Sequence, residues 1–167
     1  MSLLSKWKKT RIPKAALVEA NVASKELVVA WGFNQATDQA FVIATNEALY
    51  LQSSRIPWIS VIRATWTEPF LELTIENEQG QEQRLRVPIS DPGNLPAAVR
   101  AQVTANVVVS ERLDLPDGSQ CLVAARRKNR DEIVWSIVFD ANVDSNDPEI
   151  RAQADFALSE LRASLGI

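Results

Sequence analysis

Asp140, Asn142 and Asp144, within "DANVDSNDPEIR", are spaced like the first three oxygen ligands of an EF-hand calcium loop. The rest of that chemistry is missing. The sharp turn needs glycine where Ser145 stands, and the bidentate glutamate is replaced by Arg151. The stretch therefore reads as a polar strand-to-helix loop ending in an Asp147-Pro148 cap, and no metal is expected. Cys121 is the only cysteine, so an intrachain disulfide or a multi-cysteine zinc site cannot form. It alternates with Val123 in a strand pattern and reads as a buried small hydrophobe. Histidine is absent, which removes the commonest general base, the usual Ser-His and Cys-His activation and the commonest transition-metal ligand. No dinucleotide or phosphate-loop glycine pattern occurs among the five glycines. A non-enzyme with no cofactor is expected.

Two basic groups and one tryptophan remain as candidates for contact. Residues 1–14 carry Lys6, Lys8, Lys9, Arg11 and Lys14 without an acid, a charge of +5 in a chain of net −3. Leu3, Leu4 and Trp7 lie among them, a combination that could touch an anionic membrane. The default for such a segment is a solvated or self-packed tail. "RRKNRDE" gathers Arg126, Arg127, Lys128 and Arg130 at a predicted hairpin tip. It could hold phosphate, but acids follow directly, and a solvated turn is the simpler reading. No aromatic residues interleave there to stack bases, and the net charge is negative, so no nucleic acid is expected. Trp58 precedes its strand, whereas three of the other tryptophans lie on strand faces that read as apolar.

The elements that position these residues follow from periodicity. "PKAALVEANV" can form a short helix from Pro13. "ELVVAWG" places Leu27, Val29 and Trp31 on one face. "QAFVIAT" and "ALYLQ" flank Asn46-Glu47, a tight turn. Strands are expected at 61–66 and 70–77, the latter alternating Leu71, Leu73 and Ile75 with Glu72, Thr74 and Glu76. In the next strand Gln83, Leu85 and Val87 form the expected dry face, and Glu82, Arg84 and Arg86 the wet one. Leu95, Val99 and Val103 recur at helical spacing. Strands follow at 106–115, 119–126 and 132–140, then a helix capped by Asp147 and closed by Gly166. Its stripe is Ile150, Ala154, Ala157, Leu158, Leu161 and Leu165. The order is helix, about six strands, helix, three strands, helix, which predicts α+β with antiparallel strands.

"ALYL" followed by "RIPWISVIRATW" and an alternating hairpin resembles bacterial pleckstrin-homology-like domains over about residues 26–105. The remainder is similar to the tail of uncharacterised actinobacterial proteins. The resemblance implies a bent, partial-barrel antiparallel sheet capped by a helix, with a C-terminal β-β-β-α extension. Ile56, Pro57 and Trp58 would begin a strand at a barrel corner, since proline suits a strand start. The sequence shows six strands before the helix where that pattern has seven; the missing one is either 107–114 or supplied by another part of the C-terminal segment. A basic tail, 1–13, and a single domain, 14–167, are expected, with 26–105 as core and 106–167 packed on it. The resemblance implies a binding module; with a single cysteine and no apolar span or signal segment, a non-enzymatic cytoplasmic interaction or scaffold module with a protein partner is the leading expectation. Peripheral binding to an anionic membrane through the N-terminal segment is the alternative. Candidate membrane contacts are Leu3, Leu4, Lys6, Trp7, Lys8, Lys9, Arg11 and Lys14. Candidate ligand or partner contacts are Trp58, Arg126, Arg127, Lys128 and Arg130.

Overall fold

The computed structural model describes residues 11–38, 40–52, 54–128 and 131–166. Helix α1 (Lys14–Glu19) precedes strands β1 (Val28–Asn34), β2 (Ala40–Thr45), β3 (Ala48–Leu51), β4 (Ser54–Pro57), β5 (Val61–Thr67), β6 (Phe70–Glu76) and β7 (Glu82–Ser90). Helix α2 (Leu95–Asn106), strands β8 (Val107–Asp114), β9 (Gln120–Arg127) and β10 (Ile133–Phe139), and helix α3 (Pro148–Leu165) complete the chain. The fold is α+β. A seven-stranded antiparallel sheet runs in the order β4-β3-β2-β1-β7-β6-β5, and a second sheet in the order β10-β9-β8. Neither sheet closes into a barrel. The seventh strand of the first sheet is β4, not 107–114, which belongs to the second sheet. Pro57 therefore ends a strand instead of starting one. It lies on an edge strand, where its missing N–H costs no ladder bond, and a 3₁₀ turn, Trp58–Ser60, leads into β5.

The chain divides into two compact units that interleave in sequence. One comprises Met1–Trp58, Ala64–Leu73 and Leu85–Val103; the other comprises Ile59–Arg63, Thr74–Arg84 and Thr104–Ile167. The division does not fall at the expected 105/106 boundary, because the second unit also takes residues from β5, β6 and β7. There is a physical reason. β9 is buried along nearly its whole length, which requires cover on both faces. Cys121 and Val123 pack with Ile137, Phe139, Leu115 and Val143 against Ile150, Ala154, Leu158 and Leu161 of α3. Leu122 and Ala124, on the other face, join Val138 and Ile62 of β5. Residues 106–167 alone would leave that second face wet. Burying one such large side chain contributes about 2 kcal/mol.

In the first unit Ile43, Ala48 and Tyr50 form a cluster with Ala20, covered by Ile12, Leu17 and Val22 of the α1 segment and by Trp31 and Phe41. A bulge between Val28 and Ala30 breaks the alternation read for β1, so Leu27 and Val29 are exposed and do not share a buried face with Trp31. Gly32 is required by close approach. A Cβ there would sit 3.1 Å from Ile89 and 3.2 Å from Leu95. β6 follows its sequence pattern, with Leu71, Leu73 and Ile75 buried. α2 buries Leu95, Val99 and Val103. α3 starts at the Asp147 cap, whose carboxylate accepts from the amides of Glu149 and Ile150, and ends at left-handed Gly166. Leu165, at its end, is exposed.

Candidate functional site

The quoted "ALYL" and "RIPW" segments meet at a buried carboxylate. Glu26 precedes β1, and its side chain is only 1% exposed. It accepts from the Thr45 hydroxyl at 2.6 Å, the Tyr50 hydroxyl at 3.0 Å, and Arg55 Nε and Nη2 at 3.0 and 2.9 Å. Thr45 Oγ1 also accepts from the amides of Glu47 and Ala48, which fixes the two-residue β2–β3 turn. Trp58 is buried, and its indole N–H donates to the Thr45 carbonyl at 2.9 Å. Burial pushes the Glu26 pKa up. The hydrogen bonds from Thr45, Arg55 and Tyr50, with the Arg55 charge, outweigh burial and hold it below the ordinary value. A carboxylate so saturated is a poor proton acceptor near neutral pH. It anchors the residues before β1 to the sheet. Trp58, offered from sequence as a ligand contact, has its single donor satisfied and its ring out of solvent.

The second unit contains two arginine–carboxylate links. Arg126 extends from the same face of β9 as Leu122 and Ala124 and is 3% exposed. Its Nη2 donates to Glu76 of β6 and to Ser136 of β10, while Nε and Nη1 have no hydrogen-bond partner. Arg112 of β8 donates to Glu82 and to Asp140, both at 2.9 Å. Glu82 also accepts from Arg84 at 2.7 Å. The expected wet face of β7 is therefore corrected. Glu82 is buried and Gln83 exposed, because two guanidinium groups supply what water would have given the carboxylate. Burial raises the Glu82 pKa, but Arg112 and Arg84 outweigh it and leave it lowered. Asp140, one of the calcium-like triplet, is taken by Arg112. Asp144 accepts from the Asn146 amide, and no metal-holding group of three appears among the described residues.

The remaining sequence candidates do not converge. Arg127 and Lys128 are exposed near the β9–β10 turn, and Lys128 pairs with Glu132 at 3.1 Å. Arg126 is buried and held by Glu76 and Ser136, so it does not join them. Arg130 lies outside the described residues, as do Leu3, Leu4, Lys6, Trp7, Lys8 and Lys9. Arg11 and Lys14 are exposed. Cys121 is buried, which pushes its thiol pKa up, the opposite of activation.

Two features were not legible as sites. One is β8, the outer strand of the second sheet, with eight residues that are mostly exposed, Val108 among them. The other is a hollow of about 450 Å³ in the first unit, lined by residues from α1, the β1–β2 connection, β2 and the start of the β3–β4 turn. No helix among the described residues is long and apolar enough to cross a membrane. No protein-family model, curated protein or solved structure matches this chain.

Proposed function

We propose that the chain is a non-enzymatic binding module of the pleckstrin-homology-like kind that engages a protein partner by adding a strand to the edge of β8. The observation that supports this is the edge itself. An outer strand presents a row of backbone donors and acceptors, and an extended segment can pair with them. Two of the other outer strands are less suited. β4 has four residues and ends in Pro57. At its C-terminal end β10 is bridged, Phe139 pairing with Gln81. The chemistry described above supports the non-enzymatic part, since Glu26, Glu82 and Cys121 are each shifted away from a protonation change near neutral pH.

The test is selection of extended peptides on the whole protein, followed by hydrogen exchange of the complex. Protection confined to β8 amides, lost in Val109→Pro, supports the reading. Protection elsewhere, or unchanged binding by Val109→Pro, overturns it.

A second reading, docking on an anionic membrane in the cytoplasm, is favoured by the α1 region. Exposed Lys14 lines a hollow with Leu17, Val18, Val22 and Val28, and Val18 is 79% exposed. Salt-sensitive co-sedimentation with anionic vesicles that requires Arg11 and Lys14 would support it. Absence of binding at low salt would remove it.

A further inference from the structure

We propose that the strand added at β8 is a basic one, with lysine or arginine opposite Glu111 and Asp114 and apolar residues opposite Val109 and Leu113. The inference rests on the β8 reading and names the class of partner. β8 pairs β9 in continuous register over residues 109–114, and an irregularity between Val107 and Val109 interrupts it at the other end. A bulge twists an edge away from further pairing, so residues 109–114 are the usable stretch. Val109, Glu111 and Leu113 stand opposite Ala125, Val123 and Cys121 of β9, and Val123 and Cys121 face α3. Side chains directly opposite share a face, so these three β8 residues lie on the α3 face. Val109 and Leu113 are half-buried there and Glu111 is exposed. Ser110, Arg112 and Asp114 lie on the other face.

The charges along this edge do not balance. Arg112 is the one cation of β8, and its guanidinium donates to Glu82 and Asp140, both at 2.9 Å. Glu111 and Asp114 are exposed, and neither forms an ion pair among the described residues. Asp114 accepts from the neutral side chain of Gln120 at 2.6 Å. The outer backbone groups of β8 are thus flanked by one carboxylate on each face. Antiparallel neighbours place opposite residues about 5 Å apart, where unlike charges stabilise the pair and like charges destabilise it. Lysine or arginine opposite Glu111 and Asp114 supplies the missing charge. Valine, isoleucine or leucine opposite Val109 and Leu113 extends the apolar row of the α3 face. Read from its own N-terminus, the added strand is basic, apolar, any, basic, any, apolar. An acidic strand meets repulsion at both charged positions. A second copy of β8 is a poor occupant, because its one arginine is already engaged by Glu82 and Asp140.

The test is titration of the isotope-labelled whole chain with three blocked peptides, followed by amide NMR. The first is Thr-Lys-Val-Thr-Lys-Thr-Val-Thr; the others carry glutamine or glutamate in place of both lysines. At low ionic strength the lysine peptide should give saturable shifts at the amides of residues 109–114. It should bind about fivefold more tightly than the glutamine peptide, the combined effect of two cross-strand ion pairs. The glutamate peptide should bind more weakly than either. The preference for lysine should fade at about 0.5 M salt, since both carboxylates are exposed. The double variant Glu111→Gln, Asp114→Asn should remove that preference and leave binding of the glutamine peptide unchanged. No binding of the lysine peptide, or a preference that survives in the double variant, overturns the proposal. Equal binding of the lysine and glutamine peptides at β8 overturns it and leaves the β8 reading standing. Saturable shifts confined to residues outside β8 and β9 overturn both.

Discussion

Replacing Glu26 with glutamine tests whether the buried carboxylate holds the first unit together. The native group accepts from Thr45, Tyr50 and Arg55. Glutamine keeps the shape and one acceptor oxygen but turns an NH₂ group toward donors that need an acceptor. Breaking a fully buried pair costs about 3–5 kcal/mol. Here Arg55 is 40% exposed and can regain water, so about 2–3 kcal/mol is expected. With a urea slope of about 2 kcal/mol per molar, the midpoint should fall by about 1–1.5 M. The pH dependence gives a second reading. The folded-state pKa of Glu26 is lowered, so its contribution is complete above the unfolded carboxylate value, about 4.3, and fades as pH falls through the folded value. The gap between wild type and Glu26→Gln should therefore shrink in acid. Urea titrations followed by circular dichroism and tryptophan fluorescence, at neutral pH and at about pH 3, read both effects. An unchanged midpoint at neutral pH, or a gap undiminished in acid, refutes the reasoning.

The Arg126–Glu76 link should respond asymmetrically. Glu76→Gln leaves a buried guanidinium charge without its counter-ion and should cost about 3 kcal/mol, whereas Arg126→Met frees a partly exposed carboxylate and should cost less than about 1 kcal/mol. Equal losses in denaturation would contradict the burial argument. Trp58→Phe removes the donor to the Thr45 carbonyl and should lower stability by about 1–2 kcal/mol in the same assay; no loss would mean that bond is immaterial. Cys121 should react with a thiol reagent only as fast as its unit opens, since the thiol is buried and its pKa raised. Rapid labelling of the native protein would show that it is accessible after all.

Most elements were readable because their periodicity is strong. The alternation in β6 and the Leu95, Val99, Val103 spacing of α2 each specify a face directly. β4 was missed because "SRIP" is four residues long, half exposed, and contains a proline, so it has no period to detect. The β1 pattern was misread because a bulge shifts its faces without a glycine or proline to announce it. The candidate sites were less legible still. The hollow depends on α1 being close to β2, and its alanines look in sequence like ordinary helix formers.

Composition alone withheld histidine, paired cysteines and a complete calcium loop, and those absences need no fold to take effect. Local pattern determined the order of helices and strands, the Asp147 cap and the alternating faces of the longer strands, because propensity, capping and burial are short-range. Tertiary structure decided where charges could be buried. Glu26, Glu82 and Arg126 look like surface residues in sequence, and each is buried because distant residues supply its counter-charge. It also decided that β8 lies at an edge and that Ala16, Ala20, Ala40 and Phe41 surround one hollow, since neighbours across a sheet or beside a helix are set by pairing and packing between residues far apart in the chain.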